Sequence, residues 1–149
     1  MTDIAAIEAY IAISQVKARY CRTLDTKDWA GYADVFTDDL ELDTRPAGGT
    51  LTYGREESIR MVRSAVETAT TSHHVHSPEI KLDGDTAHVI WAMQDRVVWG
   101  ADRIAKMGNL GHTGYGHYHE RYVRKDGRWR IAAQKLTRLH MDVHYETKK

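Results

Sequence analysis

The sequence predicts an α+β fold, with N-terminal helices packed in a strongly curved, mixed or antiparallel sheet that encloses a pocket. Three observations lead there. Apolar residues recur at spacings of three and four up to about residue 69, the signature of amphipathic helices. Beyond that point the period falls to two, the signature of strands. Asp83-Gly84-Asp85 and Lys125-Asp126-Gly127 interrupt the strand region as tight turns, and Asp-Gly is a strong hairpin signal. Helices first and long strands afterwards is the α+β order.

Each element follows from its own residues. A first helix over about 4–25 carries Ile13, Val16, Tyr20 and Leu24 on one face. Trp29 to Phe36 reads as a short second helix with Asp28 or Thr26 as N-cap. Leu40-Glu41-Leu42-Asp43 alternates as a short strand, and Gly48-Gly49 turns the chain toward Tyr53-Gly54. Ile59, Val62 and Val66 mark a third helix over about 55–69. Strands are expected over 72–82, 86–99, 114–124 and 128–143, with a loop over 100–113. Neither repeat nor linker interrupts the chain, so one domain over 1–149 is expected.

Composition narrows the function. Lys plus Arg and Asp plus Glu are 21 each, so the net charge is zero. Nucleic-acid and anionic-membrane surfaces need clustered basic charge, and neither partner is expected. A single cysteine, Cys21, leaves no intrachain disulfide. The start, Met1-Thr2-Asp3-Ile4, lacks a basic and apolar leader, so a soluble cytoplasmic protein is expected.

Two acids stand on apolar faces. Asp25 ends the first helix beside Ile7, Ala18 and Cys21, at the edge of the apolar arc, where the helix dipole disfavours a carboxylate. It either caps the next helix through the turn Asp25-Thr26-Lys27-Asp28 or meets a partner, for which His73 is the candidate. Asp95 interrupts Val89, Trp91, Met93, Val97 and Trp99 on one strand face. It either lines a cavity or is turned out to water by a bulge. The opposite face, His88, Ile90, Ala92, Gln94 and Arg96, is mixed and suits a partner subunit.

Nine histidines raise the question of a metal. Alternation puts His73 and Val75 on one face, with His74 and His76 on the other beside Ile80 and Leu82, which does not select His73 as the buried one. His74/His76 and His117/His119 each point two imidazoles one way. His112 belongs to the second group, but Glu120 faces away from His117 and His119, so a ligand set is incomplete. No metal and no cofactor is expected, and phosphate-loop, dinucleotide and nucleophile-elbow motifs are absent.

The stretch Leu24-Asp25-Thr26-Lys27-Asp28-Trp29 with Val35-Phe36-Thr37-Asp38-Asp39 resembles the SnoaL-like, polyketide cyclase-like branch of the nuclear transport factor 2-like superfamily. So do Tyr53-Gly54-Arg55, Thr71-Ser72-His73-His74 and the closing run from Tyr122 to Ile131. Within it the chain is most similar to scytalone dehydratase, hexachlorocyclohexane dehydrochlorinase and bile-acid dehydratase. The resemblance implies a cone-shaped α+β barrel, a metal-free His–Asp dyad and a homo-oligomer, a trimer or a dimer. It carries the dyad onto Asp25 and His73, a tyrosine onto Tyr20 and a last-strand arginine onto Arg138. Two positions depart from scytalone dehydratase: Leu24 stands for the tyrosine before its Asp, and Asp95 stands nearest its second pocket histidine.

The expected chemistry is proton abstraction from carbon next to an activating group, with His73 as base, Asp25 as its orienting partner and Tyr20 as proton donor. A wall of Tyr20, Trp91, Met93, Trp99 and Tyr118, with Asp95 and Tyr53, suits a small hydrophobic, cyclic or aromatic substrate. A dehydratase or related lyase is expected. An isomerase or cyclase in the same pocket and a non-catalytic binding or assembly module are the alternatives.

Overall fold

The computed structural model describes residues 3–147. Helix α1 runs from Asp3 to Asp25 and buries Ala9, Ile13, Val16, Tyr20 and Leu24 along one stripe. Ile7 is 60% exposed and Ala18 is also exposed, so Asp25 shares its edge of the helix with solvent-facing residues as well as with buried Cys21. Helix α2 (Trp29–Asp34) is capped by Asp28, whose Oδ1 accepts from Gly31 N at 2.9 Å. Thr26 takes no part in that cap; its hydroxyl donates to Arg22 O. The helix stops before Phe36 because the core claims the next two residues. Val35 and Phe36 are 1% exposed, and Val35 O accepts from Ile131 N at 2.9 Å.

Strand β1 (Phe36–Asp43) therefore begins earlier than its alternating segment. A short 3-10 turn leads to β2 (Leu51–Tyr53), and α3 spans Arg55–Val66. Long strands follow: β3 (Thr70–Asp83), β4 (Thr86–Val98), β5 (Gly111–Lys125) and β6 (Arg128–His144). The expected loop between β4 and β5 contains a helix, α4 (Ala101–Met107). Its residues are good helix formers, and Gly108 ends it at φ 67°. Two turns are too short to display a helical period.

The sheet has the order β2-β1-β6-β5-β4-β3. β1 and β6 run parallel and every other pair antiparallel, so the sheet is mixed. The result is an α+β cone with helices packed against a six-stranded sheet that does not close on itself. Tyr20, Tyr32 and Phe36 form an aromatic cluster at centroid distances of 5.0–5.9 Å between helices and sheet. Among the described residues no helix is long and apolar enough to cross a membrane.

One irregularity decides which histidine faces inward. The β3–β4 register slips between His76 and Glu79, where Ser77 has φ 47°. Before the slip His73 and Val75 face the helices. After it Ile80 and Leu82 do, although plain alternation would oppose them. Pro78, which cannot donate to a ladder, sits in this bulge. β4 itself pairs without a slip through Asp95, whose neighbours are His73 and Gly114, so Asp95 points inward and is 4% exposed.

Candidate active site

The end of α1 is laid against β3, and this brings Asp25 to His73. Asp25 Oδ1 lies 2.6 Å from His73 Nδ1, and Oδ2 accepts from His73 N at 2.8 Å. Thr71 Oγ1 donates to Oδ1 at 2.9 Å. These donors, rather than the helix end, satisfy the carboxylate. The capping role falls to Asp28. In a neutral ring whose Nδ1 proton is shared with this carboxylate, the lone pair would be on Nε2. The two side chains are 9% and 21% exposed, and His73 borders a cavity of about 270 Å³ with a mostly apolar lining, including Met61, Val97, Trp99 and Leu136.

The opposite wall is built across three strands. Arg138 on β6 reaches over β5 to Asp95 on β4, with Nη1 and Nη2 at 2.6 and 2.8 Å from the two carboxylate oxygens. The path is open because β5 presents Gly114 there. A Cβ on Gly114 would fall within 3.0 Å of both Arg138 Nη1 and Asp95 Oδ1. Burial alone would push the Asp95 carboxyl up. The paired hydrogen bonds and the positive charge of Arg138, with His112 close by, outweigh burial and hold it well below the usual carboxylate range. His112 lines the same wall, edge-on to Trp99, with Nε2 at 3.6 Å from Asp95 Oδ2. His112 Nε2 and Arg138 Nε are both buried without a hydrogen-bond partner.

Beneath the cavity lies an ion pair with no exposure. Lys17 Nζ donates to Glu120 Oε1 at 2.6 Å and sits 3.7 Å from the ring centroids of both Tyr20 and Tyr118. Glu120 also accepts from Tyr122 and Gln134, and Gln134 Oε1 in turn accepts from Tyr20 OH at 3.2 Å. Burial, followed by neighbouring Tyr118, pushes the Tyr20 phenol well above its ordinary value. Burial likewise lowers the Lys17 ammonium although Glu120 opposes it.

Of the residues singled out from the sequence, His73, Tyr20, Asp95, Trp99, Tyr118 and Arg138 border this cavity, with Asp25 behind His73. Trp91 and Met93 do not. They are 4% and 3% exposed and sealed in the core, where Trp91 Nε1 donates to Tyr122 OH. Tyr53 is 65% exposed. It pairs with outward-facing Glu41 on the sheet edge, while the next pair, Leu42 and Thr52, carries the inward side. His112 was obscured by its place in the expected loop, since β5 begins at Gly111. Gly114-Tyr115-Gly116 was a usable signal, because glycines two apart in a strand leave room on one face. His117 and His119 stand together with rings 6.2 Å apart. Among the described residues no group of three or more His, Cys, Asp or Glu converges on a metal position.

Comparison with known proteins adds a family. The SnoaL-like domain is matched over residues 5–135. A probable cyclase of Gibberella zeae is 25% identical over 143 residues, covering 89% of this chain and 93% of that protein. A putative scytalone dehydratase from Novosphingobium aromaticivorans superposes with TM-score 0.81 at 22% identity, over 99% of this chain and 94% of that one. A hexachlorocyclohexane dehydrochlorinase superposes with TM-score 0.83 at 16% identity, over 98% of each chain. The two structures speak for the fold.

Proposed function

The chain belongs to the SnoaL-like domain family of the nuclear transport factor 2-like superfamily, and from that premise we propose that it is a cofactor-independent dehydratase or related lyase. The observation that carries this reading is the 2.6 Å contact between Asp25 and His73 at the wall of an apolar cavity. His73 Nε2 takes a proton from carbon next to a carbonyl, and the C–H electrons move into the carbonyl to give an enolate. Asp25 stays ionised and stabilises the imidazolium as it forms. As the enolate collapses, the β-hydroxyl leaves with a proton from Tyr20 and departs as water. The proton on His73 then restores the phenol through solvent.

The cavity also constrains the substrate. Its volume lies at the small end for ligand pockets and suits one or two rings. Asp95 neutralises Arg138, so that wall carries no net charge to attract a carboxylate. Arg138 Nε, a buried donor without a hydrogen-bond partner, suits a neutral carbonyl or hydroxyl oxygen instead.

A cyclase is the second reading, favoured by the relative from Gibberella zeae. The same enolate would then add to a second carbonyl of the substrate, and the ring would close before any leaving group departs. The pairing of Asp25 with His73 at the wall of the cavity speaks against a non-catalytic module, which has no use for it. The test is a panel of cyclic β-hydroxy ketones followed by mass spectrometry, with loss of water marking the lyase. His73→Gln should reduce turnover by about a hundred- to ten-thousand-fold. Full turnover in that variant would end the reading.

A further inference from the structure

Thr71, besides donating to Asp25 Oδ1, accepts a hydrogen bond from Lys27 Nζ at 2.9 Å. A chain of polar contacts therefore runs from the Lys27 ammonium through a hydroxyl to the carboxylate that holds His73. Thr71 lies two residues before His73 on β3, on the same face, and is 7% exposed. Neither Lys27 nor Thr71 borders the cavity, so both act through Asp25.

The backbone at Lys27 marks it out. It sits just beyond the end of α1 with φ 59°, in the left-handed region where glycine or asparagine is usual. A lysine is disfavoured there by its Cβ, yet the turn orients its side chain back under β3. The ammonium also donates to Leu24 O at 3.3 Å. Burial lowers its pKa, against the opposing pull of Asp25 and then Glu67.

We propose that Lys27 and Thr71 are positioning residues that set the basicity of His73. A carboxylate hydrogen-bonded to an imidazole favours the imidazolium, the form that has no nitrogen free to accept a proton. A cation on the far side of that carboxylate and a hydroxyl donating into it both draw off part of its pull. The other charges facing His73 are fixed by the fold. Asp95 lies directly across on β4, compensated by Arg138 from β6, with His112 of β5 behind it. Glu67, after α3, acts on Lys27. Within this set Lys27 is the cation on the Asp25 side. The role of His73 as base rests on the function proposed above, whereas its titration can be read without any substrate.

The experiment is an NMR titration of the His73 ring in the intact protein and in Lys27→Gly, Thr71→Val and Thr71→Ser. Lys27→Gly removes the charge while placing the residue best suited to φ 59°. Its thermal stability should hold or rise while the His73 midpoint moves up by roughly 0.5 to 1 unit. Thr71→Val should move it the same way, and Thr71→Ser should restore it. A merely structural lysine would change stability and leave the titration in place. An unmoved or lowered midpoint in Lys27→Gly overturns the proposal even if Thr71→Val fails to fold. If the midpoint moves and no cyclic alcohol is turned over, the lyase reading falls and the relay stands. An active lyase with an unmoved midpoint removes the relay alone.

Discussion

Replacing Gly114 by alanine puts a methyl group where Arg138 meets Asp95. The new Cβ would lie within 3.0 Å of Arg138 Nη1 and Asp95 Oδ1, so the bidentate pair must open. Separating a buried pair costs about 3–5 kcal/mol when the charges are left dry. Here both groups border the cavity, and water entering it reduces the loss to about 3 kcal/mol. The backbone at Gly114 is not in the left-handed region, so the alanine itself returns about 0.4–1 kcal/mol by restricting the unfolded chain. A net loss of about 2 kcal/mol is expected at pH 7, or a fall of about 1 M in the urea midpoint. The pH dependence identifies the cause. The folded Asp95 carboxyl is held below its unfolded value, so its stabilisation is present above about pH 4 and is lost as pH falls below that. The deficit of Gly114→Ala should therefore narrow in urea titrations at pH 3, where the parent has begun to lose the same term. Equal deficits at pH 7 and pH 3 would refute the ion-pair account.

Two further perturbations test the frame around the site. Lys17→Met leaves the fully buried Glu120 without its cation and should cost about 3–5 kcal/mol in urea unfolding. Adding Glu120→Gln removes the stranded charge and should recover most of that loss; a double variant no better than the single would refute the assignment. Asp28→Ala removes the acceptor for Gly31 N and should cost about 1 kcal/mol, read as a lower melting temperature. An unchanged melting temperature would show that the cap contributes nothing.

The local pattern of the sequence determined the α+β order, the approximate extent of α1 and β4–β6, and the inward face of β4. Periodicity is a property of neighbouring residues, so it survives without knowledge of the fold. Resemblance then pointed to Asp25 and His73, a pair the residues alone left balanced against a helix cap. Tertiary structure decided what lies between distant segments. The bulge at Ser77 reverses the alternation of everything after it, so Ile80 and Leu82 share the inward side with His73 and not with His74, as plain alternation would have it. Edge pairing with β1 sent Tyr53 outward, and core packing sealed Trp91 and Met93 away from the cavity. His112, Lys27 and Thr71 entered the site only through the crossing of α1, β3, β4 and β5, which no spacing along the chain records. The same holds for Arg138 and Asp95. They meet because a strand between them carries a glycine, and the vacancy left by a missing side chain has meaning only once the strands are laid side by side.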